Sequence, residues 1–146
     1  MTKQQSLEAI QAAKAAHIQW RARAQALVAG VPVAQEQVPL IHTDCKFGKW
    51  YYGPGQSLNS LLSFRAVEEP HEQLHSVYMK IFNVLFGEDH RSFLSTLFGS
   101  KRKHEAAKRA EAEKHLEHLI GISRTLLEAI ELLEDDVKRL PENNFV

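Results

Sequence analysis

The stretch LEHLIGISRTLLEAIELLEDDVKRL, residues 116–140, decides the fold class. Its apolar or small positions are Leu116, Leu119, Ser123, Leu126, Ile130, Leu133, Val137 and Leu140. The spacing of 3, 4, 3, 4, 3, 4, 3 is the heptad seam of a helix whose one face is buried against other helices. Pro141 and the polar Glu142-Asn143-Asn144 end the run, so a long helix is expected over about 103–140.

The rest of the chain follows the same period. Ile10, Ala13, His17, Trp20, Ala24 and Leu27 are spaced 3, 4, 3, 4, 3. This predicts a first helix from an N-cap at Ser6 to about Ala29, stopped by Gly30 and Pro32. Residues 31–43 hold two prolines and read as a loop, although Val38, Leu40 and Ile41 should pack somewhere. Thr43 or Asp44 can cap a short helix with Cys45 in its first turn, ended by Gly53-Pro54-Gly55. A second short helix is expected over 57–67, and Pro70 suits the first turn of a third. The third helix presents His71, Leu74, His75, Tyr78, Ile81, Phe82 and Leu85, and Gly87 ends it. Ser92–Phe98 is expected to form a helical turn or two. No strand alternation stands out. The expected architecture is all-α, an antiparallel four-helix bundle with short extra helices.

Composition narrows the function classes. The 146 residues correspond to one domain with a real core. The formal net charge is zero, so no global field points to nucleic acid or an anionic membrane. No run of about 20 apolar residues is present, and residues 1–5 open an amphipathic stretch without an apolar signal core. A single cysteine excludes an internal disulfide framework. A cytoplasmic protein is expected, with no nucleic-acid or membrane partner.

Four residues in three segments stand out as potential zinc ligands: His17, Cys45, His71 and His75. Zinc takes four N or S donors in a tetrahedron, and one Cys with three His is an acceptable set. His71 and His75 lie four apart, so a helix stacks them on one face. Cys45 opens a helix, where the N-terminus lowers a thiol pKa and favours the thiolate that a metal needs. The segment His71-Glu72-Gln73-Leu74-His75 is also a literal HExxH, in which Glu72 would be the general base of a zinc hydrolase. Against that reading, a catalytic zinc keeps an open position, and this chain offers two further ligands. Taken one by one, each residue has a plain reading: a core histidine, a small core thiol, two polar residues at a helix start.

The pattern His17-x-x-Trp20, then Cys45-x-Phe47-Gly48-x-Trp50-Tyr51-Tyr52-Gly53, then Glu69-Pro70-His71-x-x-x-His75 resembles the chemoreceptor zinc-binding domain. The resemblance covers about residues 10–90. It implies that His17, Cys45, His71 and His75 bind one zinc ion with no open position, in a four-helix bundle that is often a homodimer. It also implies a regulatory role beside a signalling partner or output module such as a chemoreceptor or diguanylate cyclase, with zinc or an oxidant of the zinc-bound cysteine as the input. On this reading residues 1–146 are one zinc-binding helical domain, not an enzyme, and either a stand-alone member or an excised one. The segment from Phe86 to Leu140 is longer and more charged than the family pattern. A structural zinc bundle that serves as an interaction scaffold is the third reading.

Other features have plainer readings. His42 lies three residues before Cys45 and competes as a ligand, though a loop histidine is the simpler reading. His115 and His118 near Glu111 fit a solvated helix face better than a second metal site. Trp50, Tyr51 and Tyr52 are expected to pack the short helix against the bundle. The run Lys101-Arg102-Lys103-His104 is one short basic patch on a neutral protein, which is weak evidence for nucleic acid. That patch opens the long helix, while Glu128, Glu131, Glu134, Asp135 and Asp136 crowd its end. Both placements oppose the helix dipole, and an antiparallel homodimer through this helix would pair them.

Overall fold

The structure is a computed structural model that describes residues 1–31, 41–87 and 101–145, with side chains from 103 in the last stretch. Among the described residues four α-helices follow in order: α1 (Lys3–Val28), α2 (Lys46–Tyr51), α3 (Leu62–Phe86) and α4 (Lys101–Arg139). Short 3-10 turns cover Pro54–Leu58 and Glu142–Asn144. No strand occurs among the described residues, so the chain is all-α there.

Each long helix buries the stripe that its period predicts. On α1 the buried positions include Ile10, Ala13, His17, Trp20, Ala24 and Leu27. On α4 they include Leu119, Ser123, Leu126, Ile130, Leu133 and Val137, with Leu116 and Leu140 half-buried at the ends. On α3 they include Phe64, Val67, His71, Leu74, Tyr78 and Ile81. Each fully buried large apolar side chain contributes roughly 1.5–3 kcal/mol. The helix α4 packs along both α1 and α3, and α2 lies against α1. Lys3 Nζ donates to the carbonyls of Lys138 and Leu140, each at 2.8 Å. Lys14 pairs with Glu131 at 2.7 Å, and Arg109 donates to the Ala29 carbonyl at 3.5 Å.

Local boundaries differ from expectation in four places. The cap of α1 is Thr2 and not Ser6. Thr2 accepts from the Gln5 N–H and the Gln5 side chain accepts from the Thr2 N–H, a complete capping box. Ser6 is buried inside the helix and donates to the Thr2 carbonyl. The cap of α2 is Cys45 itself, not Thr43 or Asp44. The break expected near Pro70 is absent: α3 runs from Leu62 to Phe86 with Pro70 inside it. Phe64, Val67, His71, Leu74, Tyr78 and Ile81 form one 3, 4, 3, 4, 3 stripe, and burial along it outweighs the local cost of the proline. Ile41 is half exposed instead of packed inward. Val38, Leu40 and Ser92–Phe98 lie outside the described residues. Gly30 stops α1 as expected, with φ +83 after the Ala29 cap.

Candidate metal centre

Three separate elements bring the site together. The seam of α1 carries His17 inward one turn from Trp20. The turn before α2 carries Cys45. The stripe of α3 carries His71 and His75 one helical turn apart. All four side chains are buried, and one ligand atom from each lies within 4.8 Å of the other three. No other group of three or more His, Cys, Asp or Glu side chains of this kind occurs among the described residues.

The donor set and spacing fit a zinc ion. Zinc–ligand bonds of about 2.0–2.3 Å place tetrahedral donor atoms roughly 3.3–3.8 Å apart. The Cys45 Sγ to His71 Nε2 distance is 3.3 Å. The second nitrogen of His17 is already engaged, because His17 Nδ1 lies 2.7 Å from the Ala13 carbonyl oxygen. Donation to that carbonyl fixes the tautomer and leaves Nε2 as the donor atom, the usual arrangement behind a ligating histidine. Cys45 Sγ accepts from the Gly48 N–H at 3.2 Å, as an N-cap side chain does, and the thiol lies 3.4 Å from the His42 carbonyl.

An aromatic wall surrounds the cluster. The Phe47 ring meets His71 edge-on at 5.0 Å, and the Trp20 ring lies 4.3 Å from His75. Of the three aromatics read as packing groups, Tyr51 fits that role best. Its ring stacks on Phe64 at 4.2 Å and its hydroxyl donates to the Phe64 carbonyl at 3.0 Å. Trp50 is half-buried, while Tyr52 is partly exposed and donates to Glu68 at 3.1 Å.

Burial sets the proton chemistry of the metal-free cluster. His71 is pushed down to about 2, first by burial and then by the neighbouring His17, His75 and His42. Burial also lowers His17, against the opposing effect of its bond to the Ala13 carbonyl. The Cys45 thiol is raised by burial, although the backbone N–H groups at the start of α2 pull it down. The expectation of a depressed thiol is therefore corrected: desolvation outweighs the helix N-terminus, and a thiolate here needs a cation beside it.

The remaining sequence candidates fall elsewhere. Glu72 is exposed and lines a separate cavity of about 370 Å³ between α3 and α4, with Glu69, Gln73, Lys80 and His118. His115 and His118 join no metal-binding group among the described residues. His42 lies beside the cluster without belonging to it, its ring centroid 5.9 Å from that of His71.

Residues 17–82 match the family model of the chemoreceptor zinc-binding domain. The likeness to this family spans just under half of the chain. The match begins at His17, includes all four clustered residues, and ends within α3 before α4. Comparison with curated proteins and with solved structures returned no match. The family is a zinc-binding one, and the cluster is suited to that ion. Two residues of the site were not read from the sequence. Ala13 contributes only a carbonyl and Gly48 only an N–H, groups that the backbone carries whatever the side chain, so neither role leaves a signature in residue type.

Proposed function

We propose that His17, Cys45, His71 and His75 hold one zinc ion with no open position, in a regulatory domain that senses zinc or oxidation of Cys45. The observation that carries this reading is the burial of four convergent donors from three separate elements. Zinc supplies the cross-link and stabilises the Cys45 thiolate. The chain supplies the rest: α1 and α3 hold the imidazoles, Ala13 orients His17, and the Gly48 N–H supports the sulfur. Oxidation of Cys45 by hypochlorous acid, which transfers one oxygen to the thiolate and leaves as chloride, would give the sulfenic acid, remove the anionic donor and loosen the tie between these elements. The resulting change in packing is the signal to a partner or output module such as a chemoreceptor or diguanylate cyclase.

The same proposal takes the fold as an antiparallel four-helix bundle in the cytoplasm. The pairing of Lys3 with Lys138 and Leu140, Lys14 with Glu131 and Arg109 with Ala29 supports that direction for α1 and α4. No described helix is long and apolar enough to cross a membrane. A homodimer is also part of the proposal, but its charge argument is weaker than the sequence implied. Glu131 finds Lys14, and Glu134 finds Lys138 and Gln11, within one chain. We assign no catalysis. Glu72, the base required by a hydrolase, faces a different cavity from the buried histidines.

Elemental analysis tests the reading. One zinc per purified chain is expected, lost in His71→Ala and His75→Ala and kept in Glu72→Gln. A folded wild-type protein that takes up no zinc after add-back would overturn it.

A further inference from the structure

The four-ligand reading does not use His42, although its imidazole stands beside the cluster. Its ring centroid lies 5.9 Å from that of His71 and 6.4 Å from that of His75. His17, a member of the cluster, lies 5.0 Å and 6.4 Å from the same two rings. His42 is therefore level with an assigned ligand from one ring and only slightly farther from the other. It is half-buried, with the Tyr52 ring 5.8 Å away. Its position is tied to Cys45: the Asp44 N–H donates to the Ile41 carbonyl at 3.0 Å in the intervening turn, and the Cys45 thiol donates to the His42 carbonyl at 3.4 Å.

We propose that His42 is a reserve zinc ligand that takes the place of Cys45 when the thiolate is withdrawn. The inference rests on the zinc reading above. Zinc accepts imidazole nitrogen as readily as thiolate, so a four-histidine set is chemically sound. The change is not silent. Zinc with one thiolate and three neutral imidazoles carries a net charge of +1; with four imidazoles it carries +2. Loss of the cysteine thus changes the charge of the buried site while the ion stays, which separates a cysteine signal from a metal-depletion signal. The turn at residues 41–45 would move with the exchange and pass it to the surface.

The test compares wild type, His42→Ala, Cys45→Ala and the double variant. Each is loaded with zinc, freed of excess metal, and titrated with a chromophoric chelator; circular dichroism checks the helix content. His42→Gln serves as a second His42 variant if the alanine variant misfolds. We expect wild type and His42→Ala to hold zinc alike, and Cys45→Ala to hold it more weakly. Removing His42 from the Cys45→Ala background should weaken it further by at least about tenfold, the low end of what altering a metal's surroundings costs. Cobalt(II) substitution gives a second readout. The thiolate-to-cobalt charge-transfer band should vanish in both variants that lack Cys45, while the visible d–d bands of Cys45→Ala should shift when His42 is removed as well, as a water takes the place of a nitrogen donor. Equal zinc affinity in Cys45→Ala and the double variant would overturn the inference and leave the zinc reading intact. A wild type that binds no zinc would overturn both.

Discussion

A Cβ placed on Gly48 would run into the carbonyl oxygen of His42 and lie 3.0 Å from the Thr43 Cα. The atoms in the way are backbone, so the turn must shift to admit it. In an open helix, replacing glycine by alanine gains about 1 kcal/mol. Here the overlap reverses the sign, and Gly48→Ala should cost about 1–3 kcal/mol in urea unfolding. Because the Gly48 N–H also supports Cys45 Sγ, the same variant should weaken zinc in chelator competition. A gain in stability with unchanged zinc affinity would refute this account. Cys45 makes a second prediction at the same scale. Its thiol is raised by burial and is protonated at neutral pH in the metal-free chain, while burial holds His17 and His71 down and proton-free. Zinc binding must therefore expel the thiol proton. Between pH 6.5 and 8 the affinity should fall about tenfold for each unit of acidification from that group alone. The sign follows from the raised thiol: the lower the pH, the more strongly protons hold the sulfur. Chelator titrations at several pH values read the slope, and Cys45→Ala should reduce it by about one. A slope unchanged by that variant would refute the assignment. The four donors were legible in the sequence because their residue types are rare together and two of them keep helical spacing. The raised thiol was not legible, since it depends on how much apolar surface closes over Cys45.

At the scale of elements, the heptad stripes and the glycine stops at Gly30 and Gly87 match the sequence reading, while the helix starts do not. A proline fits the first turn of a helix, so the sequence alone points to a start at Pro70. The stripe from Phe64 to Ile81 keeps its register through residue 70, and a buried seam of six positions is worth more than one lost backbone bond. Cys45 does not announce itself as a cap, because thiols seldom serve there whereas Thr and Asp side chains such as those of Thr43 and Asp44 commonly do. The exception arises because the sulfur is drawn toward His71 on one side and accepts from Gly48 on the other. The seam of α4 carries one polar member, Ser123, whose buried Oγ has no hydrogen-bond partner. A buried hydroxyl left unsatisfied costs about 1–3 kcal/mol, so Ser123→Ala should raise stability by about 1 kcal/mol. A urea midpoint that falls in this variant would show that the hydroxyl has a role in packing or function. Tyr51 should behave in the opposite way. Its hydroxyl donates to the Phe64 carbonyl within a stacked pair. Tyr51→Phe keeps the stack and removes the bond, at a cost of about 1 kcal/mol.

For the whole molecule, the clustered ligands come from α1, the turn before α2, and α3, and none comes from α4. The long helix holds α1 and α3 by apolar packing, with Lys3 and Lys14 tying α1 to its C-terminal half. Metal and core thus stabilise different joints of the same bundle. Zinc that binds only the folded chain adds stability by mass action, about 2.7 kcal/mol at a free concentration one hundred times Kd. For a domain of this size each kcal/mol shifts Tm by roughly 2–4 °C. Removing zinc with a chelator should lower Tm by about 5–10 °C, read by circular dichroism. The loss should also be uneven. Amide hydrogen exchange should quicken in α1, in the Ile41–Leu58 segment and around His71, where the ion closes the joint. The Leu126–Val137 seam of α4, which relies on apolar burial, should keep more of its protection. Uniform loss along all four helices would mean that zinc acts on global folding alone, with no separable joint to transmit a signal. An unchanged Tm and exchange pattern after the metal is stripped would mean that the cluster is not a site of tension in the fold, and the sensing mechanism would fail with it.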